Sequence, residues 1–145
     1  MNNYRVARIE NIRVGMTASV TRVITDDSIH AFADVSGDHN PVHLDEAFAS
    51  SSRYKRRIAH GLMCASWFSA LFGTELPGTG CVYLSQTLNF KRPVYIGDEV
   101  TAMVRVEAID VEKDRVTFKT ACTVKGRTVI DGVAEIYIPR EKNRG

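Results

Sequence analysis

The chain has 145 residues, of which 44% are apolar and 25% are charged, and its formal net charge is +2 at pH 7. These proportions are typical of one globular domain that is long enough to bury an ordinary hydrophobic core. The small net charge and the mixing of basic with acidic side chains argue against a nucleic-acid-binding protein. We therefore expect a single domain over residues 1–145, with a loose tail at residues 140–145.

The cysteines and the apolar segments bear on where the protein works. Cys64, Cys81 and Cys122 are odd in number and match no metal-ligand spacing, which is typical of free thiols in a reducing compartment. Residues 1–15 are polar and lack the apolar segment of a signal peptide. No apolar run approaches the roughly 20 residues that a membrane helix needs. We expect a cytoplasmic protein that does not associate with membranes.

The first part of the chain predicts a strand followed by a helix. Residues 16–25 alternate between apolar and polar side chains, which is the pattern of a strand with one covered face. Thr25 has the character of a helix N-cap, and the acidic pair Asp26-Asp27 follows in the first turn, where the helix dipole favours it. Gly37 is expected to end this helix, so that Asp38 lies just beyond its C-terminus.

The middle of the chain predicts a short helix, a basic loop and a long buried helix. Residues 44–51 have a helical pattern, and residues 50–57 are polar and basic. Residues 58–72 are the most apolar helical stretch, and a helix that is apolar almost all round is expected to be buried almost all round. This helix should begin near Gly61, end at Gly73 and form the centre of the fold.

The last part of the chain predicts strands, because the apolar period becomes two after Gly80. Strands are expected at residues 82–90, 100–108, 116–124 and 130–138. The links between them are short, which indicates an antiparallel meander. One buried helix with about five strands predicts an α+β fold in which a curved antiparallel sheet wraps around the helix. A sheet of this size leaves an edge free, and a second copy of the chain can cover it, so we expect a homodimer.

A carboxylate and an imidazole stand five residues apart in the segment that follows the first predicted helix. They belong to Asp38 and His43, and Pro41 stiffens the turn between them and drives Asn40 into an extended conformation. A stiff backbone suits an acid–base pair that must share one small polar substrate such as water. The same residues also fit a structural turn with a hydrogen-bonded histidine, so the spacing alone leaves both interpretations open.

Further residues offer binding groups. Gly61, at the start of the buried helix, can present N–H groups to an oxyanion or a thioester carbonyl, and His60 before it fits a capping-region residue. Ser66 and Ser69 lie on the same helix, where serines most often bond to their own backbone. Basic side chains are usually only solvated, but a minority bind phosphates, and the candidates are Arg56, Arg57, Lys91 and Arg92.

Other types of site find no support in the sequence. There is no GxSxG elbow and no Walker loop. Asp38, His39 and His43 have no clear fourth ligand nearby, so we expect no metal. Cys64 would lie inside the apolar helix, which is a poor environment for a nucleophilic thiolate.

The segment from Phe32 to Ala49 resembles the signature of the MaoC-like (R)-specific enoyl-CoA hydratases. The matching positions are Phe32, Val35, Ser36-Gly37-Asp38, Asn40-Pro41, His43 and Ala49. The similarity continues over nearly the whole chain, through Ile58–Gly61, Leu76-Pro77-Gly78, Phe90-Lys91, Pro93-Val94 and Gly97–Val100. It implies a dimeric hot-dog fold, in which an antiparallel sheet wraps around a central helix and the active site lies near the dimer interface. The likeness is greatest to short, single-domain members that supply (R)-3-hydroxyacyl-CoA for polyhydroxyalkanoate synthesis.

The resemblance also implies a reaction, the reversible syn hydration of trans-2-enoyl-CoA to (R)-3-hydroxyacyl-CoA. In this scheme Asp38 and His43 hold and deprotonate a water, and the N–H of Gly61 meets negative charge on the thioester oxygen. Asn40 shapes the turn, and Ser69 matches a family position that supports the catalytic aspartate. Contacts with CoA phosphates are expected from Arg56, Arg57, Lys91 and Arg92. No metal or redox cofactor is implied, because adding water moves no electrons and the CoA thioester is itself the substrate.

Three alternatives remain open from the sequence. A 3-hydroxyacyl-acyl carrier protein dehydratase would use the same chemistry on another carrier, and basic residues 53–57 could meet an acidic carrier protein as well as CoA. A hot-dog acyl-CoA thioesterase would hydrolyse the C–S bond and release a free thiol. A non-catalytic acyl-CoA-binding protein is disfavoured, because binding alone does not require both Asp38 and His43.

Overall fold

The structure, a computed structural model, describes residues 3–140. A short 3-10 turn at Ile9–Asn11 comes first. The helices are α1 (Asp26–Ser36), α2 (Pro41–Leu44), α3 (Glu46–Ser50) and α4 (Gly61–Thr74). The strands are β1 (Thr17–Val23), β2 (Val82–Gln86), β3 (Asn89–Phe90), β4 (Glu99–Asp110), β5 (Arg115–Val124) and β6 (Arg127–Tyr137). Within residues 3–140, none of the helices has the length and apolar character needed to cross a membrane.

Helix α1 begins and ends where its local sequence predicts. The hydroxyl of Thr25 accepts a hydrogen bond from the N–H of Ser28, and the Ser28 hydroxyl accepts one from the N–H of Thr25, so the two residues form a capping box. At the other end Gly37 adopts φ +81°, a left-handed conformation that glycine reaches without steric cost. The chain therefore turns sharply into Asp38, as expected.

The strands form one antiparallel sheet in the order β1-β4-β5-β6-β2, and the two-residue β3 also pairs with β6. The α+β prediction is confirmed, but the prediction of one meander from residue 82 onward is wrong. Only β4, β5 and β6 follow one another in space, because the partners of β4 on either side are β1 and β5. Residues 91–98 therefore carry the chain from β3 on one side of the sheet to β4 on the other.

The predicted strand over residues 82–90 is interrupted, and Gly132 of β6 explains the interruption. A Cβ on Gly132 would lie 1.8 Å from the carbonyl oxygen of Thr87, so only glycine allows the two backbones to approach so closely. At Thr87 a side-chain bond takes the place of one of the regular backbone bonds of the sheet. The N–H of Thr87 donates to the carbonyl of Val133, and the Thr87 hydroxyl accepts from the N–H of Val133. The sheet consequently has two short strands where one was expected.

Helix α4 packs against the sheet through Met63, Cys64, Ala65, Phe68, Leu71 and Phe72. The ring of Phe72 meets the ring of Phe118 edge-on, with centroids 4.7 Å apart, in the favoured geometry of aromatic pairs. The expectation that this helix is buried almost all round is wrong, because the sheet covers only one side of it. Leu62, Ser66 and Ser69, which follow helical spacing, remain exposed.

Arg140, the last described residue, is held to the domain by hydrogen bonds. The Nε of Arg140 donates to both carboxylate oxygens of Asp114, at 2.8 and 3.0 Å, although the tail was expected to be loose from this residue onward. Asp114 is nearly buried in the turn between β4 and β5. The rest of the expected tail, residues 141–145, lies outside the described residues.

Candidate active site

The turn that delivers Asp38 is stabilised by its own polar side chains. The N–H of Asp38 donates to the hydroxyl of Ser36 at 3.1 Å, and Oδ1 of Asp38 accepts from the N–H of Asn40 at 3.2 Å. The side chain of Asn40 then accepts from the N–H of Val42 and caps α2, with Pro41 at the first helical position. His43 thus lies on one turn of helix. The sequence had predicted an irregular turn at this position.

His43 is oriented as a neutral base. Its side chain is nearly buried, and Nδ1 lies 2.7 Å from the carbonyl oxygen of Ile58. A carbonyl can only accept, so Nδ1 carries the hydrogen and Nε2 keeps its lone pair. Burial lowers the pKa of His43 below its ordinary 6.5, and nearby His60 lowers it further, while the Ile58 carbonyl and the charge of Asp38 oppose the shift. The imidazole is therefore largely unprotonated at neutral pH.

His60 is part of the same cluster, although from the sequence it was expected only as a capping-region residue. It is 2% exposed, and its Nε2 lies 3.0 Å from the backbone carbonyl oxygen of Asp38. Its ring stacks on the ring of His43, with centroids 3.9 Å apart and planes at 30°. Its position before Gly61, inside the segment that resembles the hydratases, was the only sequence signal that could have indicated this role.

Asp38, His43 and His60 are close enough to raise the question of a metal. One potential ligand atom of each lies within 4.8 Å of the others. Tetrahedral metal sites need donors that converge on one point and are free to bind the ion. One nitrogen of each ring already contacts a backbone carbonyl. This arrangement favours an acid–base pair over a metal centre.

A cleft of about 390 Å³ lies next to the cluster and has both His43 and Gly61 in its wall. Gly61 is the first residue of α4, where an N–H has no partner within the helix, and the carbonyl of His60 accepts from Met63 and Cys64. Within residues 3–140, no acceptor is found for the N–H of Gly61. A Cβ at Gly61 would lie 2.5 Å from the ring of Phe90, so the glycine lets this ring close one side of the cleft. The N–H of Gly61 is available to a carbonyl or an oxyanion.

Positive side chains surround the same cleft. Lys91 and Arg92, both predicted to contact phosphates, line it together with Arg53, which the sequence offered only as part of the basic segment 53–57. Lys91 also forms an ion pair with Asp131 at 3.0 Å. The guanidinium of Arg92 donates to the carbonyl of Thr128 at 2.9 Å. The cleft thus combines an apolar wall with a cationic rim, which suits a ligand with an anionic end.

Two of the predicted phosphate contacts point elsewhere. The guanidinium of Arg57 donates to the carbonyl of His43 and to the carboxylate of Asp26, both at 2.7 Å. That bond to Arg57 is also the main reason why the pKa of Asp26 is lowered. Arg56 lies over the ring of Tyr95, with its guanidinium carbon 4.1 Å from the ring centroid. Arg57 consequently has a structural role beneath His43, and neither arginine lines the cleft.

Ser69 is also separate from Asp38 within one chain. It lies in a groove between α4 and β2, about 350 Å³ in volume, together with Ser66, Tyr83 and Leu84. The proposed support of Asp38 by Ser69 is therefore not made within a single chain.

Comparisons with known proteins show which proteins this chain is similar to. Residues 10–131 match the family model described as the MaoC like domain. The chain is 47% identical over 130 residues to an (R)-specific enoyl-CoA hydratase of Rhodospirillum rubrum, with 90% of each chain covered. It is 42% identical over 138 residues to a 3-hydroxybutyryl-CoA dehydratase of Methylorubrum extorquens, covering 95% of this chain and 88% of that one.

The fold is also found among solved structures. An (R)-hydratase from Aeromonas caviae that is involved in polyhydroxyalkanoate biosynthesis superposes with a TM-score of 0.87 at 41% identity, covering 90% of this chain and 99% of that chain. The hot-dog architecture and the likeness to the hydratases are confirmed. This chain belongs to the MaoC-like domain family.

Proposed function

We propose that the protein catalyses the reversible syn hydration of trans-2-enoyl-CoA to (R)-3-hydroxyacyl-CoA. The observation that carries the proposal is the pairing of an exposed carboxylate, Asp38, with a buried imidazole, His43, whose Nε2 is free to accept a proton. The wall of the adjacent cleft supplies the N–H of Gly61. The relatives from R. rubrum and M. extorquens are named for enoyl-CoA hydration and for 3-hydroxybutyryl-CoA dehydration, the two directions of one reaction.

In the proposed mechanism Asp38 and His43 hold a water between them. The water oxygen forms a bond to Cβ of the enoyl group while one of its protons moves to the pair, and the pair returns a proton to Cα. Electron density displaced toward the thioester oxygen is stabilised by the N–H of Gly61. The steps add one water across the double bond, with no net gain of protons or electrons. The reaction accordingly needs no redox cofactor.

The direct test is an assay of crotonyl-CoA hydration, followed by the loss of enoyl thioester absorbance, with the chirality of the product determined. Formation of (R)-3-hydroxybutyryl-CoA supports the proposal. Release of free CoA thiol instead would indicate the thioesterase alternative. Binding of crotonyl-CoA without turnover would indicate a non-catalytic protein.

The pH dependence of the reaction should reflect the lowered pKa of His43. Below its folded-state pKa the imidazole gains a proton and can no longer act as a base, so kcat/KM falls as the pH decreases. Because this pKa is lowered, the midpoint of the fall is expected below pH 6.5. Measurement of kcat/KM between about pH 4.5 and pH 8 checks the prediction, with His30→Gln on the exposed face of α1 as the control. An acid limb centred above pH 6.5 would contradict it.

The role of the Gly61 N–H can be isolated by comparing two substitutions. Gly61→Pro removes the N–H at the first position of α4, where proline is well tolerated, and the extended ψ of 127° at His60 suits a residue before proline. Gly61→Ala is the matched control, because both substitutions place a Cβ against the ring of Phe90 and only proline lacks the donor. The proline variant is expected to lose on the order of 100-fold more kcat than the alanine variant. Equal losses in the two variants would assign the effect to the clash alone.

The cationic rim of the cleft should recognise the phosphates of the substrate carrier. Glutamine at Arg53, Lys91 or Arg92 is expected to raise KM for crotonyl-CoA about tenfold. The rate with crotonyl-pantetheine, which lacks the phosphates, should not change. Lys113→Gln, in the exposed turn between β4 and β5, provides the control. An equal rise in KM for both substrates would argue against phosphate recognition.

The carrier itself is tested by comparing crotonyl-CoA with crotonyl-acyl carrier protein. We propose CoA, because the positive charges line the wall of a small cleft rather than a broad surface. A higher kcat/KM with the carrier protein would favour the dehydratase alternative.

We also propose that the protein works as a homodimer in the cytoplasm. Strand β2 is at one edge of the sheet, and its residues Val82, Tyr83 and Leu84 are exposed. The exposed side of α4, including Leu62 and Ser69, lies beside this edge. A second copy can cover both surfaces. The cytoplasmic location is supported by the three cysteines, all of which are free thiols.

A further inference from the structure

His60 is a buried polar side chain for which the proposed mechanism has no role. It is 2% exposed and precedes α4, but its side chain does not cap the helix. Its Nε2 lies 3.0 Å from the backbone carbonyl of Asp38, a residue 22 positions earlier in the chain. That oxygen can only accept, so Nε2 must carry the hydrogen and Nδ1 must be the bare nitrogen.

The bare nitrogen is also buried. Within residues 3–140, Nδ1 of His60 has no hydrogen-bond partner. A buried acceptor without a donor lowers the stability of the folded protein. A phenylalanine has a similar shape and would fill this position without that cost. Packing alone therefore does not explain why this position carries a polar side chain.

The ring of His60 occupies a defined place between two other rings. One neighbour is His43, with centroids 3.9 Å apart, and the other is Phe32, with centroids 4.9 Å apart and planes at 55°. The stack covers one face of the His43 ring and limits its rotation. His60 consequently touches both members of the proposed pair, the backbone of Asp38 and the ring of His43.

Backbone hydrogen bonds hold the two residues before His60 in place. The N–H of Ile58 donates to the carbonyl of Val42, and the N–H of Ala59 donates to the carbonyl of Val94 at 2.7 Å. The carbonyl of Ile58 in turn orients His43. The four-residue segment 58–61 thus places the imidazole, the carboxylate-bearing turn and the N–H of Gly61 relative to one another.

We propose that His60 is a positioning residue, which fixes the Asp38 turn through its Nε2–H and fixes the His43 ring by stacking. This inference rests on the proposed function for its kinetic consequences. The tautomer of His60 in the resting protein does not depend on that function.

Two substitutions separate the two contacts. His60→Gln keeps an N–H donor close to the position of Nε2 but loses the ring, whereas His60→Phe keeps the ring but loses the donor. Each is expected to lower kcat/KM for crotonyl-CoA about 10- to 100-fold with little change in KM, since small displacements of reacting groups have effects of this size. His30→Gln, on the exposed face of α1, should behave as wild type.

The pH profile distinguishes positioning from a general loss of structure. Within residues 3–140, the charged and titratable groups that face His43 are Asp38 on its turn, His60 at the start of α4, Arg57 at its carbonyl, and Arg53, Tyr54, Lys91 and Arg92 around the cleft. Only His60 changes in these variants. Both variants remove the lowering effect of His60 on the pKa of His43, and only His60→Gln also admits water to the His43 ring. The acid limb of kcat/KM should therefore move to higher pH in both variants, and further in His60→Gln than in His60→Phe.

The decisive measurement on the unmodified protein is the tautomer of His60, determined by nitrogen-15 NMR of histidine-labelled protein near pH 7.5. The Nε2–H tautomer, together with reduced kcat/KM in folded variants, supports the proposal. An Nδ1–H tautomer overturns it, as do folded variants with wild-type kcat/KM and wild-type pH profiles. If neither variant folds, the tautomer alone decides. Wild-type protein that is inert on crotonyl-CoA would overturn the proposed function while leaving the tautomer result intact.

Discussion

Asp38→Asn is expected to lower kcat/KM for crotonyl-CoA hydration about 1,000-fold, the middle of the range for losing an acid–base group. The substitution is nearly isosteric, and the amide oxygen can still accept from the N–H of Asn40, as Oδ1 of Asp38 does at 3.2 Å. Asp38 is exposed, so its side chain contributes little to the core. The turn should therefore survive while the group proposed to share the water with His43 loses its charge and its basicity. The loss is measured as the initial rate at subsaturating crotonyl-CoA.

Asp34→Asn is the matched control for this substitution. Asp34 lies on the last turns of α1 and is also exposed, and within the described residues its carboxylate pairs with His39 at 3.4 Å. Its neutralisation changes the net charge by the same amount at nearly the same place, and activity should be unaffected. Asp38→Asn protein that keeps more than about a tenth of the wild-type rate would exclude the carboxylate from the chemistry, because acid–base groups contribute at least about 100-fold.

Local sequence was sufficient for much of this structure. The capping box at Thr25, the left-handed Gly37 and the Asn40-Pro41 start of α2 each depend on residues within a few positions of one another. The strands likewise follow from alternation along the chain. The proximity of Asp38 and His43 could be predicted because they lie on one short, stiff segment.

The parts that sequence missed depend on long-range contacts. The pairing of β2 and β3 with β6 requires residues 91–98 to cross the sheet, and no local pattern specifies that path. The contact between His60 and Asp38 joins residues 22 positions apart, and the ion pair between Arg57 and Asp26 joins residues 31 apart. Charge alone made Arg57 a candidate for phosphates, whereas the fold places it beneath His43.

The exposed side of α4 was also missed because it depends on long-range contacts. Mean apolarity predicted a helix covered on all sides, but one curved sheet can cover only one side of a helix in a single chain. Leu62, Ser66 and Ser69 remain outside it, next to the edge strand β2. Their surroundings therefore depend on the proposed dimer, and a role for Ser69 beside Asp38 would require a second copy of the chain.

His43→Asn is expected to lower kcat/KM about 1,000-fold without unfolding the protein. The Nδ2 of asparagine lies near the position of Nδ1 of histidine, so it can still donate to the carbonyl of Ile58, which is 2.7 Å from Nδ1. The Nε2 lone pair, the proposed proton acceptor, is removed. A His43→Gln variant complements it, because glutamine places an amide near Nε2 but an amide has no useful basicity. Both variants should be comparably slow in the crotonyl-CoA assay.

The pH dependence of the residual activity of His43→Asn should identify the group that titrates. In the wild type, protonation of His43 as the pH falls should produce an acid limb below pH 6.5, since burial lowers the pKa of this imidazole. Without the imidazole that limb should disappear. Loss of rate together with loss of the limb assigns the titrating base to His43. Loss of rate with an unchanged limb would mean that another group titrates, and that His43 only holds the water which Asp38 deprotonates.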